Sequence, residues 1–171
     1  MKTFIKIVAV FVLCQSSFAL AGKIVTMDAQ QAILATEYAK QRSDELKRKS
    51  DYAKMVAEAE ALKADLAKLN EEAQSKGLTW SEEQQADFRK KVQTAQTDFQ
   101  FVVQKIQKEN EALMQSLIAD GQNKLSTVLE QLIKSEDIDM VLRREAAYIA
   151  LPTSDITAKV VEELNKLNKA Q

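Results

Sequence analysis

The sequence predicts a mainly α chain with a small β body. A long antiparallel helical-hairpin arm of coiled-coil type projects from a strand-containing oligomerisation base. Three observations predict it. From Ala29 to Ser135 there is no proline and the only glycines are Gly77 and Gly121. That stretch is rich in Ala, Glu, Gln, Lys and Leu, whose straight or minimal side chains lose little freedom in a helix. Turn chemistry interrupts it near the middle, at Lys76-Gly77-Leu78-Thr79, and strand-like alternation is confined to the ends of the chain.

The first residues read as a secretory signal. Lys2 and Lys6 supply the positive region, Ile7 to Leu13 the apolar run, and Ala19-Leu20-Ala21 a small-x-small cleavage site. The apolar run falls short of the ~20 residues that a membrane anchor needs. Bulky Val12 and Leu13 before Cys14 argue against lipid attachment there. Cleavage after Ala21 leaves Gly22 at the mature N-terminus and removes the only cysteine; the chain has no histidine. Thiol catalysis, disulfides, histidine acid–base chemistry and the common zinc sites are excluded from such a chain. With Lys2 and Lys6 gone, 22 basic residues face 25 acidic ones, a net charge of −3. So even a balance does not predict nucleic-acid binding.

Within the mature chain, Lys23 to Asp28 is a short β-rich run. A first helix is expected from about Gln30 to Lys76. Its second half carries a seam of Tyr52, Met55, Ala59, Leu62, Leu66, Leu69 and Ala73, spaced alternately three and four apart. That heptad pattern favours a left-handed coiled coil. In the first half, Ile33, Leu34, Tyr38 and Leu46 fall irregularly among charges. Ser81-Glu82-Glu83-Gln84 is a capping box that starts a second helix reaching about Lys134. Its seam is Phe88, Val92, Ala95, Phe99, Val102, Ile106, Asn110, Leu113 and Leu117. Two successive steps of four across Ile106 form a stutter, and Asn110 puts a polar group in the seam. Leu125, Val128, Leu129, Leu132 and Ile133 then widen the apolar face toward a fuller core.

At 1.5 Å per residue the helices span roughly 70 and 80 Å. A compact chain of this length has a radius of gyration near ~15 Å, so the arm must project. Ile138 to Leu142 and Ala146 to Ala150 read as two further strands. Pro152-Thr153-Ser154-Asp155 ends them and caps a last helix with an apolar stripe at Ile156, Val160, Val161, Leu164 and Leu167. The expected organisation is a signal at 1–21, a β-containing body from 22–29 with 136–171, and an arm at 30–135 whose tip lies near 77–81. A base of about 60 residues is marginal as a lone core. Self-association through Ile24, Met140, Leu142, Ile149 and Leu164 is the expected remedy.

Ser135-Glu136-Asp137-Ile138-Asp139-Met140-Val141-Leu142, then Tyr148, then Asp155-Ile156-Thr157 followed by Val160 and Leu164, resembles the C-terminal signature of the Skp/OmpH family of periplasmic chaperones. Lys23-Ile24-Val25 with Asp28 resembles that family's first strand. The resemblance implies a homotrimer whose strands form a central body and whose three arms enclose a cavity for unfolded outer-membrane proteins. It implies a periplasmic holdase that prevents their aggregation without ATP, not an enzyme. The family's best-known members have basic arms and a proposed lipopolysaccharide contact. Here the arms are near neutral, and Arg89, Lys90 and Lys91 are the only candidate for that contact. The segment around Leu151-Pro152-Thr153 also departs from the family pattern.

No Gly-rich phosphate loop is present, so no nucleotide site and no cofactor is expected. Nucleic acid and a stable membrane anchor are likewise not expected as partners. Acid pairs such as Glu58/Glu60 and Asp137/Asp139 read as solvated helix-face or turn residues. The candidate client-binding side chains are Trp80, Phe101, Met55, Met114 and Phe99, since flexible and aromatic groups suit varied partners. Met55 and Phe99 lie on the seams, where coiled-coil packing is the competing role. Gly121 is either an arm hinge or a close-packing position. The alternative function is a structural coiled-coil adaptor or tether of the cell envelope without chaperone activity.

Overall fold

The β1 strand, Lys23–Met27, is held from both sides by the far end of the chain. In a computed structural model that describes residues 22–169, it pairs in parallel with β2, Ile138–Arg143. Parallel neighbours need a long crossover, and here the whole arm supplies it. The chain runs out through α1 (Ala29–Leu34), α2 (Glu37–Arg48) and α3 (Ser50–Lys76), and returns through α4 (Glu82–Ser135). On the other edge of β1, Thr26 bridges to Asp155 and the Ile156 N–H donates to the Thr26 carbonyl at 2.9 Å. The last helix, α5, is Thr157–Lys169. The expected signal segment lies outside the described residues.

The core gathers where these ends meet. Val25 and Met27 of β1, Ala32 and Ile33 of α1, Leu125, Val128 and Leu132 of α4, Ile138, Ile156, Val160 and Leu164 form one buried cluster. It includes α1 and the last turns of α4, which explains the wide apolar face near Leu132. Leu164 is only 2% exposed in this cluster. Its expected place at an oligomer surface is therefore corrected: its apolar area is already used within the chain.

The long first helix is also corrected, because it is broken twice. At Thr36 the hydroxyl donates to the Ile33 carbonyl at 2.8 Å and accepts from the Ala39 N–H at 3.2 Å. One buried side chain thus ends α1 and caps α2. At Lys49 the backbone is extended, with no side-chain cap. Leu46 and Tyr52, the contacts on either side, are six residues apart, a spacing that fits neither a heptad step nor a full heptad. The break resets the phase between them. The stutter of α4 faces the same place, where the Tyr52 hydroxyl donates to Asn110 Oδ1 at 3.2 Å.

The expected strand at Ala146–Ala150 is absent. A 3-10 turn at Arg144–Ala146 leads into irregular chain, with Tyr148 fully exposed and Ile149 84% exposed. Both edges of β1 are occupied, and the segment does not pair with the outer edge of β2, which stays open among the described residues. At the end of α4, Asp137 adopts φ 51°, the left-handed turn that glycine more often supplies.

Short polar contacts lock the body. Glu136 accepts from Lys23 Nζ at 2.8 Å and also pairs with Lys159 of α5. Asp155 accepts from the Thr157 N–H at 2.8 Å and pairs with Arg144 at 3.2 Å. The Thr157 hydroxyl in turn accepts from the Asp28 N–H at 3.0 Å. The Asp-Ile-Thr of the C-terminal signature is thus the joint between α5 and β1.

Gly121 lies inside α4, and a Cβ there would meet Ile33 Cγ2 at 2.7 Å. Close approach of α1 to α4 depends on that missing methyl, and any hinge motion at Gly121 would have to open the contact. Gly121→Ala should therefore destabilise by about 1–3 kcal/mol through overpacking, despite a helix-propensity gain of ~1 kcal/mol. Urea denaturation of Gly121→Ala, Ile33→Ala and the double variant should show strong non-additivity. Additive losses would contradict the contact.

Acid should loosen the body. Hydrogen bonds from Lys159, then Lys23, hold the Glu136 carboxyl below the usual glutamate range. Those from Thr157, then the Arg144 charge, do the same for Asp155. Carboxyls lowered by folding contribute stability above their unfolded values and lose it as pH falls through the folded ones. Thermal melts from about pH 6 to about pH 3 should show Tm declining below about pH 4.5, with a shallower decline in Glu136→Gln.

Candidate functional site

α3 and α4 pack against each other along the two expected seams. Leu69, Val102 and Leu117 are buried, and Met55, Leu62, Leu66, Phe88, Val92, Phe99 and Ile106 are half-buried. Met55 and Phe99 therefore spend much of their surface on the partner helix. A two-helix seam has solvent on both flanks, so these side chains also keep an accessible edge.

The tip is a 3-10 turn at Gly77–Thr79. Gly77 has ordinary helical torsions, φ −55°, so the turn does not depend on glycine's conformational freedom. The Thr79 hydroxyl donates to the Lys76 carbonyl at 2.8 Å. The capping box forms as expected, with Gln84 N–H to Ser81 Oγ at 3.3 Å and Ser81 N–H to Gln84 Oε1 at 2.9 Å. Trp80 rests on Phe88, ring centroids 4.5 Å apart, while Gln85 Nε2 donates to the Trp80 carbonyl at 3.4 Å. Phe88, one turn beyond the usual staple position, gives Trp80 its apolar partner. Leu78 projects fully into solvent. A lone apolar residue in a turn has no periodic neighbours, so nothing in the sequence pattern marks it.

Phe101 and Met114 face outward from the shaft of α4. Phe101 is 56% exposed, and Lys105 Nζ lies 4.2 Å from its ring centroid. The ammonium attracts the ring face while its stem covers apolar surface. Met114 is 48% exposed and borders a groove with Leu34, Ala39, Leu113 and Leu117. Val103, next to the seam residue Val102, is also exposed. Phe101 and Met114 are not brought together with Trp80; the candidates are spread along the arm.

Arg89, Lys90 and Lys91 are exposed on the outer half of α4. Lys90 and Lys91 share a groove with Asp65, Glu72, Asp87 and Asp98, so carboxylates of both helices interleave with the cations. At the body, Ile24 and Met140 are register partners and both are half-exposed. Leu142 is partly buried, whereas Tyr148, Ile149 and Leu151 stand free of the chain's own core. Among the described residues no group of three or more acidic side chains converges as a metal site. No helix among them is long and apolar enough to cross a membrane.

Known proteins match this combination over nearly its full length. The profile of the family described as "Outer membrane protein (OmpH-like)" covers residues 23–164. A Skp-like protein of Pseudomonas aeruginosa is 29% identical over 166 residues, 96% of each chain. An OmpH-like crystal structure from Caulobacter crescentus overlaps 85% of both chains at 23% identity, with a TM-score of 0.48. The family match, running from β1 into the last helix, places this chain in the Skp/OmpH family.

Proposed function

We propose that the protein is an ATP-independent periplasmic holdase, exported with a cleaved signal, that binds unfolded outer-membrane proteins between the arms of a homotrimer. One observation carries the reading: in a chain of this family the main buried cluster lies at the base, while the long arm buries only its seam and presents scattered apolar side chains on its outer faces. Unfolded barrel strands expose alternating apolar side chains and unpaired edges, which makes them prone to aggregate. Many weak contacts along an arm suit varied chains better than one shaped cavity, and binding lowers the free client concentration by mass action.

Self-association follows from the body. Ile24, Met140, Ile149 and the neighbouring Tyr148 and Leu151 leave apolar surface that a second copy would cover. Leu142 contributes its remaining exposed edge. The segment 147–151 supplies backbone groups that lack a strand partner in its own chain. On the arm, Phe101 and Met114 are the main client contacts. Trp80, Met55 and Phe99 are secondary ones, because each is already packed against a helix neighbour. Of the candidate lipopolysaccharide contacts Arg89, Lys90 and Lys91, the last two are interleaved with carboxylates, which weighs against an anionic ligand there.

Light scattering of a urea-diluted outer-membrane barrel should be suppressed at stoichiometric trimer. Phe101→Ser combined with Met114→Ser should weaken retention about fivefold, ~1 kcal/mol for contact of part of a side chain. Both positions lie off the seam, so Tm should change little. Native mass should give three chains. A stable monomer would overturn the assembly. An intact trimer that leaves aggregation unchanged would instead favour the envelope adaptor.

A further inference from the structure

The start of β1 holds a carboxylate without a side-chain cation. The Lys23 N–H donates to Asp139 Oδ2 at 2.7 Å. A Cβ on Gly22 would stand 2.8 Å from the same oxygen. Gly22 is thus pressed directly against the Asp139 carboxyl, beside the irregularity in register between Lys23 and Ile24. The nearby cations are otherwise engaged: Lys23 Nζ and Lys159 both pair with Glu136. No lysine or arginine of the described residues pairs with Asp139, and Asp137 precedes β2 as a further negative charge.

Resting on the exported-precursor reading above, we infer that removal of the signal completes this site: the new α-ammonium of Gly22 pairs with Asp139 and pins the first strand to β2. The step is hydrolysis of the Ala21–Gly22 peptide bond by an export endopeptidase. Water adds its oxygen to the Ala21 carbonyl carbon, which leaves as a carboxylate. Gly22 nitrogen takes both released protons and becomes –NH3+. In the precursor the same nitrogen is a neutral amide. The cleavage thus converts a neutral backbone group next to Asp139 into its cation partner. Glycine at this position lets the backbone approach the carboxylate closely, which a side chain would obstruct.

The sign of the effect follows from linkage. An ammonium gaining a carboxylate partner titrates higher in the folded state than in the unfolded chain, where an α-amino group titrates near ~8. Its contribution is complete below that value and is lost as pH rises through the folded one. The test uses the exported, processed protein, its mass first confirming that it begins at Gly22. Titration of the α-amino group by pH-dependent acylation should give a midpoint above that of Asp139→Asn. Asparagine can still accept from the Lys23 N–H, so the variant removes charge rather than the strand contact. Processed protein should lose Tm between about pH 7 and about pH 10 more steeply than Asp139→Asn or a chain that retains Ala21. Equal midpoints in the processed protein and Asp139→Asn, or parallel Tm profiles, would overturn the pair. An N-terminus other than Gly22 would overturn it for the natural protein. Neither readout involves a client, so failure here is distinct from failure of the holdase reading.

Discussion

Everything projecting from this molecule depends on β1 being gripped from two sides. A hairpin arm of two helices can lean only on itself, so its orientation is set where its ends are anchored. β1 leads into α1, and β2 follows α4, so their parallel pairing ties the outgoing and returning halves of the chain together. The second grip, Ile156 N–H to the Thr26 carbonyl and Asp28 N–H to the Thr157 hydroxyl, brings α5 onto the same strand. Val160 and Leu164 then complete the core. Without the returning tail, β1 would keep one hydrogen-bonded edge, and α1 would lose the packing of α5.

The coupling explains which features could be read from the chain in advance. The seams from Tyr52 to Ala73 and from Phe88 to Leu117 follow a period set by helix geometry, and the capping box at Ser81 involves neighbours three residues apart. Both are local, and both are found where expected. The breaks at Thr36 and Lys49 sit beside contacts with distant partners. Ile33, just before Thr36, meets Gly121 in α4, and Tyr52, just after Lys49, donates to Asn110. Neither site has a glycine or proline to advertise it. The segment at Ala146–Ala150 has the composition of a strand but does not pair with the open edge of β2, and pairing is a property of the assembled sheet rather than of the segment.

For the candidate site, the residue types were legible but their exposure was not. Phe101 was separable from Phe99 because the heptad assigns them different faces. The Lys105 ammonium over its ring is also a helical neighbour, four residues on. Leu164 shows the opposite case: a stripe on a terminal helix identifies an apolar face without saying which surface covers it. Here α1 and α4 do so. Ile24 and Met140 carry similar sequence signals and yet remain half-exposed, since they point away from that cluster.

The near-neutral arm also bears on how an unfolded chain would be held. Most ion pairs on α2 and α3 are between residues three apart, such as Arg42–Glu45 and Lys68–Asp65. These pairs are exposed, and such pairs contribute little to stability; their effect is to consume charge locally. Long-range attraction for a client is correspondingly weak, and salt has little of it to screen. On the holdase reading, retention then rests on apolar contact at separated points such as Phe101 and Met114. Each point alone is weak enough to exchange, and several acting together keep the local concentration of binding groups high. The same separation leaves no continuous apolar stripe exposed along the described residues of the arm. On that reading a client is held firmly by the sum of its contacts while every individual contact remains free to release.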